Sequence, residues 1–220
     1  MSLDDALTLE INELNNKSLY RQRMITSAFE PCINFSSNDY LSLRNDARVR
    51  GAFVRGFSQF PSGSGASMVV CGSHAIHREL EQTLAKKFGA DDALLFNSGY
   101  AANLGVVSLL SRLKAHLLID KWVHASIYDG IKLSNAQHSR FLPNSLIDLE
   151  KKIMTSGRSV AVITEGIFSM SGQRPDLKKL IAVCNAYEST LIVDEAHSFG
   201  VVGSEGLGAV VLAGLTQEQV

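Results

Sequence analysis

Cysteine is scarce in this sequence, which has three cysteines among 220 residues and no Cys-x-x-Cys pair. Widely separated cysteines such as Cys32, Cys71 and Cys184 are typical of small core residues in a reducing compartment rather than of a disulfide framework or a zinc site. The six histidines likewise include no His-Glu-x-x-His spacing. We therefore expect no metal at the functional site.

Long apolar runs and an excess of charge of either sign are also missing. The longest apolar stretches, such as residues 209–213, are far too short to span a bilayer, and the acidic N-terminus has no apolar region typical of a signal peptide. A net charge of −1 gives no global field that would attract nucleic acid or an acidic membrane. We expect a cytoplasmic protein with neither nucleic acid nor membrane as a partner.

Hydrophobic periodicity predicts an alternation of strands and helices from residue 92 onward. Because strands that alternate with helices build parallel sheets covered on both faces, we expect a mostly parallel α/β domain. The predicted strands are at residues 93–96, 116–119, 160–164 and 190–194, with an edge strand at 136–141. The predicted helices are at residues 46–60, 74–88, 98–110, 125–134, 145–155 and 176–187.

The first part of the chain has a different pattern. Residues 3–27 predict an exposed amphipathic arm, and residues 33–41 predict a short strand that ends in polar turn formers. We accordingly divide the chain into the arm with its short strand, residues 1–45, and one large domain, residues 46–220.

Polar side chains follow several of the predicted strands at the carboxyl end. They include Ser98, His124, Glu165 and Asp194, with His197 three residues further on. Because ligands of open α/β sheets bind outside the carboxyl ends of the strands, we expect these side chains to converge on one binding site. An ionised aspartate at the end of a buried strand requires a cation, so that Asp194 is the central residue of this prediction.

Two turns rich in glycine and serine, residues 61–67 and 97–101, can bind an anion through free N–H groups. For residues 61–67 a flexible connector is an equal alternative, whereas for residues 97–101, taken alone, a simple cap by Ser98 with a tight turn at Gly99 is favoured. No Gly-x-Gly-x-x-Gly follows any predicted strand, so that a dinucleotide-binding fingerprint is excluded.

The run Asp194-Glu195-Ala196-His197 is also found at the magnesium site of DEAH-type helicases. That function requires a Gly-x-x-x-x-Gly-Lys-Ser/Thr loop, and neither Gly-Lys-Ser nor Gly-Lys-Thr occurs in the sequence. A basic channel for nucleic acid is missing as well. The helicase hypothesis is therefore rejected.

Six segments taken together resemble the α-oxoamine synthases, which are fold-type I pyridoxal phosphate enzymes of the aspartate aminotransferase superfamily. The resemblance runs from about residue 10 to residue 210 and implies a three-layer large domain preceded by an N-terminal helical arm. The segments are residues 34–41, 63–65, 98–103, 124–126, 165–170 and 194–197.

The resemblance implies how the cofactor, pyridoxal 5′-phosphate, would be bound. Asp194 would meet the protonated pyridine nitrogen, which keeps the ring an effective electron sink. His197 would bind the phenolic oxygen of the ring, and His124 would stack on the ring face. Gly99 and Tyr100 would hold the phosphate. Ser169 would also contact the cofactor.

The resemblance implies the substrates as well, which Arg21 and His124 would bind. The implied reaction is the decarboxylative condensation of L-alanine with pimeloyl-CoA or a pimeloyl-carrier protein in biotin biosynthesis, carried out by a homodimer. Glycine-using members of the family, or a non-catalytic dimer partner, remain alternatives.

One expected residue of the family is missing from the sequence. The Schiff-base lysine of the family follows the aspartate strand, whereas the last lysine here is Lys179, which precedes Asp194. We therefore expect an N-terminal portion that lacks this lysine and the small domain. Such a portion should have no synthase activity alone and should bind the cofactor weakly.

Overall fold

The computed structural model describes residues 1–23, 25, 33–157 and 159–220, which fall into two units, Met1–Asp39 and Tyr40–Val220. The first unit contains helix α1 (Leu3–Asn16), none of whose residues is buried. The helix begins with a capping box in which the Ser2 hydroxyl accepts the Asp5 N–H (3.1 Å) and the Asp5 carboxylate accepts the Ser2 N–H (2.8 Å). Among the described residues of the predicted arm, the helix ends at Asn16, and residues 24, 26 and 27 of the arm lie outside the described residues.

The second unit alternates helices and strands as predicted. Its elements are α2 (Ala47–Gln59), α3 (Ala75–Phe88), α4 (Gly99–Arg112), β1 (His116–Asp120), α5 (Ala125–Ser134), β2 (His138–Phe141), α6 (Leu146–Ser156), β3 (Val160–Glu165), α7 (Leu177–Ala186), β4 (Thr190–Asp194) and α8 (Gly208–Leu212). A π-helical turn occupies Met68–Gly72, and 3₁₀ turns occupy Leu43–Asn45, Ser204–Gly206 and Gln217–Gln219. Within the described residues, no helix has both the length and the apolar character needed to cross a membrane.

The four strands form one parallel sheet in the order β2-β1-β3-β4. The predicted fold class, an α/β domain with a mostly parallel sheet, is confirmed. The register of β3 and β4 places Glu165 beside Asp194 at the carboxyl end of the sheet. Since side chains alternate along a strand, these two residues share one face of the sheet.

Two apolar cores cover the two faces of the sheet. On one face, helices α4 and α5 pack on alternate residues of β1 and β3; on the other, α6, α7 and α8 pack on the residues between them. The first core contains Val107, Leu117, Ile119, Ile127, Ile131, Ala161 and Ile163. The second contains Leu118, Leu149, Ile153, Val162, Leu177, Leu180, Ile181 and Val210.

Two of the predicted strands are wrong. Residues 93–96 form no strand and pair with none in the described part of the chain, and Leu94 is largely exposed. Residues 33–41 form bends and turns, because the side chains of Asn34 and Ser37 accept the N–H groups two residues further on, Ser36 (2.8 Å) and Asp39 (3.0 Å).

Candidate functional site

Asp194 lies at the end of β4 and is held by two hydrogen bonds. Its Oδ2 accepts the side-chain amide of Asn103 (2.8 Å), and its Oδ1 accepts the N–H of Ala196 (2.9 Å). Contrary to our expectation of a fully buried acid, Asp194 is only half-buried, because β4 is the outermost strand of the described sheet. Its carboxylate therefore has a fixed orientation and retains access to a ligand.

A chain of hydrogen bonds joins Asp194 to His124. Asn103, on α4, donates both to Asp194 and to the hydroxyl of the fully buried Ser126 (3.0 Å), and that hydroxyl lies 2.7 Å from Nδ1 of His124. Since Nδ1 also accepts the N–H of Ser126 (3.2 Å), the Ser126 hydroxyl is the donor to it. The two residues that we predicted from separate strand ends thus belong to one network.

Asn103 and Ser126 complete this network, although we did not predict them as site residues. Both lie in segments that carry the family resemblance, and this was the only signal in the sequence that could have identified them. Neither has a spacing or charge that singles it out.

A cavity of about 220 Å³ lies beside this network, between α4 and the sheet. The lining of the cavity includes the polar residues Asp194 and Asn103 and the apolar residues Ile163 and Ile192. Gly99, at the first turn of α4, lines the same cavity. An apolar cleft with one oriented carboxylate suits a flat ring that carries a positive charge.

The N-terminus of α4 offers two free amides at this cavity. The hydroxyl of Ser98 caps the helix by accepting the N–H of Ala101 (3.1 Å), whereas the N–H groups of Gly99 and Tyr100 have no acceptor among the described residues. The helix dipole and these amides favour an anion such as a phosphate. The cap that Ser98 was expected to form is present, and anion binding by the two remaining amides stays a prediction.

Tyr100 is fixed by a residue of the neighbouring helix. Its hydroxyl donates to the carboxylate of Asp129 on α5 (2.5 Å), and this hydrogen bond raises the pKa of Tyr100. The side chain is therefore anchored on α5, away from the two free amides at the start of α4.

Glu165 is a buried acid whose importance we underestimated from the sequence. It is 2% exposed; its Oε2 accepts the N–H of Ser169 (3.2 Å), and its Oε1 has no hydrogen-bond partner among the described residues. Burial raises the pKa of Glu165 to about 7, against the opposing Ser169 N–H, and the carboxylate of Asp194 raises it further. Glu165 is therefore mostly protonated below about pH 7 and mostly ionised above it.

Asp120 is a second buried acid, but it lies on the other face of the sheet. It follows Leu118 by two positions and lines a cavity between the sheet and α7. Burial raises the pKa of Asp120 to about 6, and the N–H of Trp122 opposes the shift.

The remaining predicted residues are placed as follows. Ser169 contributes its N–H to Glu165, and its side chain is exposed. His197 lies in the turn after β4, where its Nδ1 is 2.6 Å from the hydroxyl of Tyr40. Arg21 lies in the first unit, in an exposed segment after α1, and its substrate role stays a prediction.

Comparisons with known proteins were made at the level of sequence and of structure. A family model described as aminotransferase class I and II matches residues 30–219. An 8-amino-7-oxononanoate synthase of Methylococcus capsulatus is 40% identical over 100% of this chain and 59% of its own. One of Thioalkalivibrio sulfidiphilus is 36% identical over 97% of this chain and 57% of its own. The chain thus spans little more than half the length of these relatives.

Solved structures of the same group superpose on this chain. A serine palmitoyltransferase from S. paucimobilis with a bound PLP–myriocin aldimine matches with a TM-score of 0.84 at 31% identity, covering 98% of this chain and 57% of that one. The 8-amino-7-oxononanoate synthase of Francisella tularensis matches with a TM-score of 0.70 at 36% identity, covering 82% of this chain and 50% of that one. The predicted resemblance to α-oxoamine synthases is confirmed, and so is the predicted cofactor class, pyridoxal phosphate.

Proposed function

Since this chain belongs to the class I and II aminotransferase family, we propose that the complete protein is an 8-amino-7-oxononanoate synthase. It would form a carbon–carbon bond between the α-carbon of L-alanine and the acyl carbon of a pimeloyl thioester, with loss of carbon dioxide and the thiol. The names of the curated relatives support this choice of substrates. We also propose that the protein acts as a homodimer in the cytoplasm.

The observation that carries the proposal is the network from Asp194 through Asn103 and Ser126 to His124. It fixes a carboxylate at one side of an apolar cavity and a histidine near the same carboxyl end of the sheet. This arrangement fits pyridoxal phosphate, whose ring nitrogen is cationic when protonated and whose faces are apolar. The two free amides at the start of α4 fit its phosphate.

Bound pyridoxal phosphate supplies an electron sink for a carbanion at the α-carbon of the amino acid. The residues of this chain bind and orient it: Asp194 holds the proton at the ring nitrogen, and Asn103 keeps the carboxylate from rotating. Glu165 lies beside Asp194, and because burial raises its pKa to about 7, it is partly protonated near neutral pH.

Serine palmitoyltransferase is a second candidate, because a structure of that enzyme superposes with a TM-score of 0.84. The curated sequence relatives favour the alanine-using enzyme, with identities of 36% and 40% against 31% for that transferase. The two candidates differ in both amino acid and acyl chain. They share the cofactor site, so that only turnover of substrates separates them.

Binding of the cofactor can be tested on this chain with pyridoxamine 5′-phosphate, which has no aldehyde and cannot react with surface lysines. Trp122 is the only tryptophan in the sequence, and it follows β1 at the carboxyl end of the sheet, where the candidate site lies, so that we expect its fluorescence to be quenched on binding. Asp194→Ala should weaken binding about tenfold or more, since it removes a charge-assisted contact. Asp91→Ala, which removes an exposed acid, is the control. Equal affinity of Asp194→Ala and the native chain would refute the proposed site.

Substrate choice is tested on the full-length protein by release of labelled carbon dioxide from the carboxyl group of the amino acid. We expect release from L-alanine with pimeloyl-CoA, and little from glycine or L-serine with the same thioester. Preferential release from L-serine with palmitoyl-CoA would replace the proposal by the second candidate. Preference for glycine would assign the protein to the glycine-using branch.

A further inference from the structure

His197 makes a close contact with a residue 157 positions earlier in the chain. The hydroxyl of Tyr40 lies 2.6 Å from Nδ1 of His197, and the two rings meet edge to face with centroids 6.1 Å apart and an interplanar angle of 71°. The ring contact and the hydrogen bond together leave the imidazole little freedom to rotate.

The chemistry of the two groups determines the direction of the hydrogen bond. A neutral imidazole has one donor and one acceptor nitrogen, and the partner of one nitrogen determines where the proton resides. A phenol is a stronger hydrogen-bond donor than an acceptor, and imidazole nitrogen is a strong acceptor. Tyr40 therefore donates to Nδ1, which places the proton of the neutral ring on Nε2.

The second nitrogen of His197 is available for a ligand. Nε2 has no hydrogen-bond partner among the described residues, and His197 follows Asp194 by three positions in the turn after β4. With the proton on Nε2, the ring can donate a hydrogen bond but cannot accept one there. A ligand that meets Nε2 must therefore present an acceptor, such as a phenolate oxygen.

We propose that Tyr40 is a positioning residue that holds His197 in its Nε2–H form, ready to donate to the phenolic oxygen of the cofactor. The part that concerns the cofactor rests on the function proposed above, whereas the part that concerns the tautomer does not. Tyr40 acts through His197 and need not touch the cofactor itself.

The tautomer is measured first, without cofactor. In the ¹⁵N-histidine-labelled chain in alkaline buffer, we expect His197, assigned with His197→Gln, to show a protonated Nε2 and an unprotonated Nδ1. Tyr40→Phe keeps the ring contact and removes only the hydroxyl, so that the two nitrogen shifts of His197 should move towards each other as the tautomers mix. A protonated Nδ1 in the native chain, or unchanged shifts in Tyr40→Phe, would overturn the proposal.

The effect on binding is measured with two ligands, pyridoxamine 5′-phosphate and its analogue without the phenolic oxygen. Tyr40→Phe should weaken binding of the first about 3- to 10-fold, as expected for one hydrogen bond, and leave the second unchanged. Equal weakening for both ligands would show a purely structural role and refute the positioning role. Tyr128→Phe, whose hydroxyl donates to the carbonyl of Lys121 (3.1 Å), is the matched control and should change neither affinity.

These two measurements separate failure of this proposal from failure of the proposed function. If neither ligand binds to the native chain or to the full-length protein, the proposed cofactor site is wrong, and the shifts of His197 still decide the tautomer. If both ligands bind and Tyr40→Phe does not discriminate between them, the cofactor site stands and the role of Tyr40 falls.

Discussion

At the scale of single residues, the sequence indicated which acids lie at the carboxyl end of the sheet but not how deeply each is buried. Asp194 and Glu165 both end apolar β-branched runs, yet Asp194 is half-buried and Glu165 is enclosed. The difference arises from strand order, since β3 is flanked by two strands whereas β4 has a neighbour on one side only in the described sheet. Strand order follows from long-range pairing and has no local signature.

Glu165 should make the stability of the chain depend on pH. Its pKa is about 7 in the folded chain, against an ordinary value of 4.5, so that between these pH values the folded state binds more protons than the unfolded state. Stability is therefore lost as pH rises from about 4.5 to about 7, at up to about 1.4 kcal/mol per pH unit. Glu165→Gln mimics the neutral acid and should flatten the free energy of unfolding across this window, as measured by urea denaturation.

Asp120, whose pKa is about 6, makes the free energy of unfolding fall with rising pH in the same way, but at lower pH. This part of the pH dependence should persist in Glu165→Gln. The exposed Glu79→Gln controls for the loss of one negative charge and should leave the slope unchanged. An unaltered slope in Glu165→Gln would show that Glu165 is ionised in the folded chain.

At the scale of helices and strands, prediction succeeded where the signal is local. Helices α2 to α7 were predicted within a few residues because an apolar stripe and its caps belong to the helix itself. The strand predicted at residues 93–96 failed because a strand requires a partner, and an apolar run carries no information on whether one is present. The polar residues at the strand ends were recognisable for the same reason as the helices, since each strand end carries its own, whereas Asn103 and Tyr40 meet Asp194 and His197 only through contacts between distant parts of the sequence.

Glu195 shows how one side chain fixes a short helix. Its carboxylate accepts the N–H groups of Ala209 and Val210 at the start of α8 (2.8 Å each) and the hydroxyl of Ser198 (2.6 Å). The carboxylate approaches Gly208 so closely that a Cβ at this position would overlap it. Although Glu195 belongs to the run that resembles a helicase motif, its observed role is to cap α8.

Gly208→Ala should therefore destabilise the chain by about 3 kcal/mol or more, because it combines a positive φ of 92° with the loss of this cap. Gly214→Ala is the matched control, since Gly214 also has a positive φ (67°) but no atom closer than 3.9 Å to the added Cβ. It should cost about 1 kcal/mol. Thermal and urea unfolding of both variants measure the difference, and similar losses would contradict a special role of the Glu195 contact.

At the scale of the whole molecule, one apolar segment of the second unit, residues 93–96, pairs with no strand among the residues that the structure describes. Residues 93–96 have no regular secondary structure, Leu94 is 77% exposed, and Phe96 is also exposed. The N–H groups of Ala93 and Leu95 donate only to side chains, those of Asp92 (2.8 Å) and Glu81 (3.0 Å). An apolar segment that lies outside the ladder of a sheet can pair with another chain. Exposed leucines on helices, such as Leu133 on α5 (72% exposed), belong to backbone that is already hydrogen-bonded within the helix.

We therefore expect this chain to self-associate with increasing concentration, and we expect the segment at residues 93–96 to contribute to the contact. Leu94→Lys should lower the associated fraction in sedimentation velocity, because a charged side chain disfavours edge pairing. Leu133→Lys removes a leucine of similar exposure from a helix and should have a much smaller effect. Equal effects of the two substitutions would indicate general apolar association, and a native chain that stays monomeric at high concentration would contradict the expectation altogether.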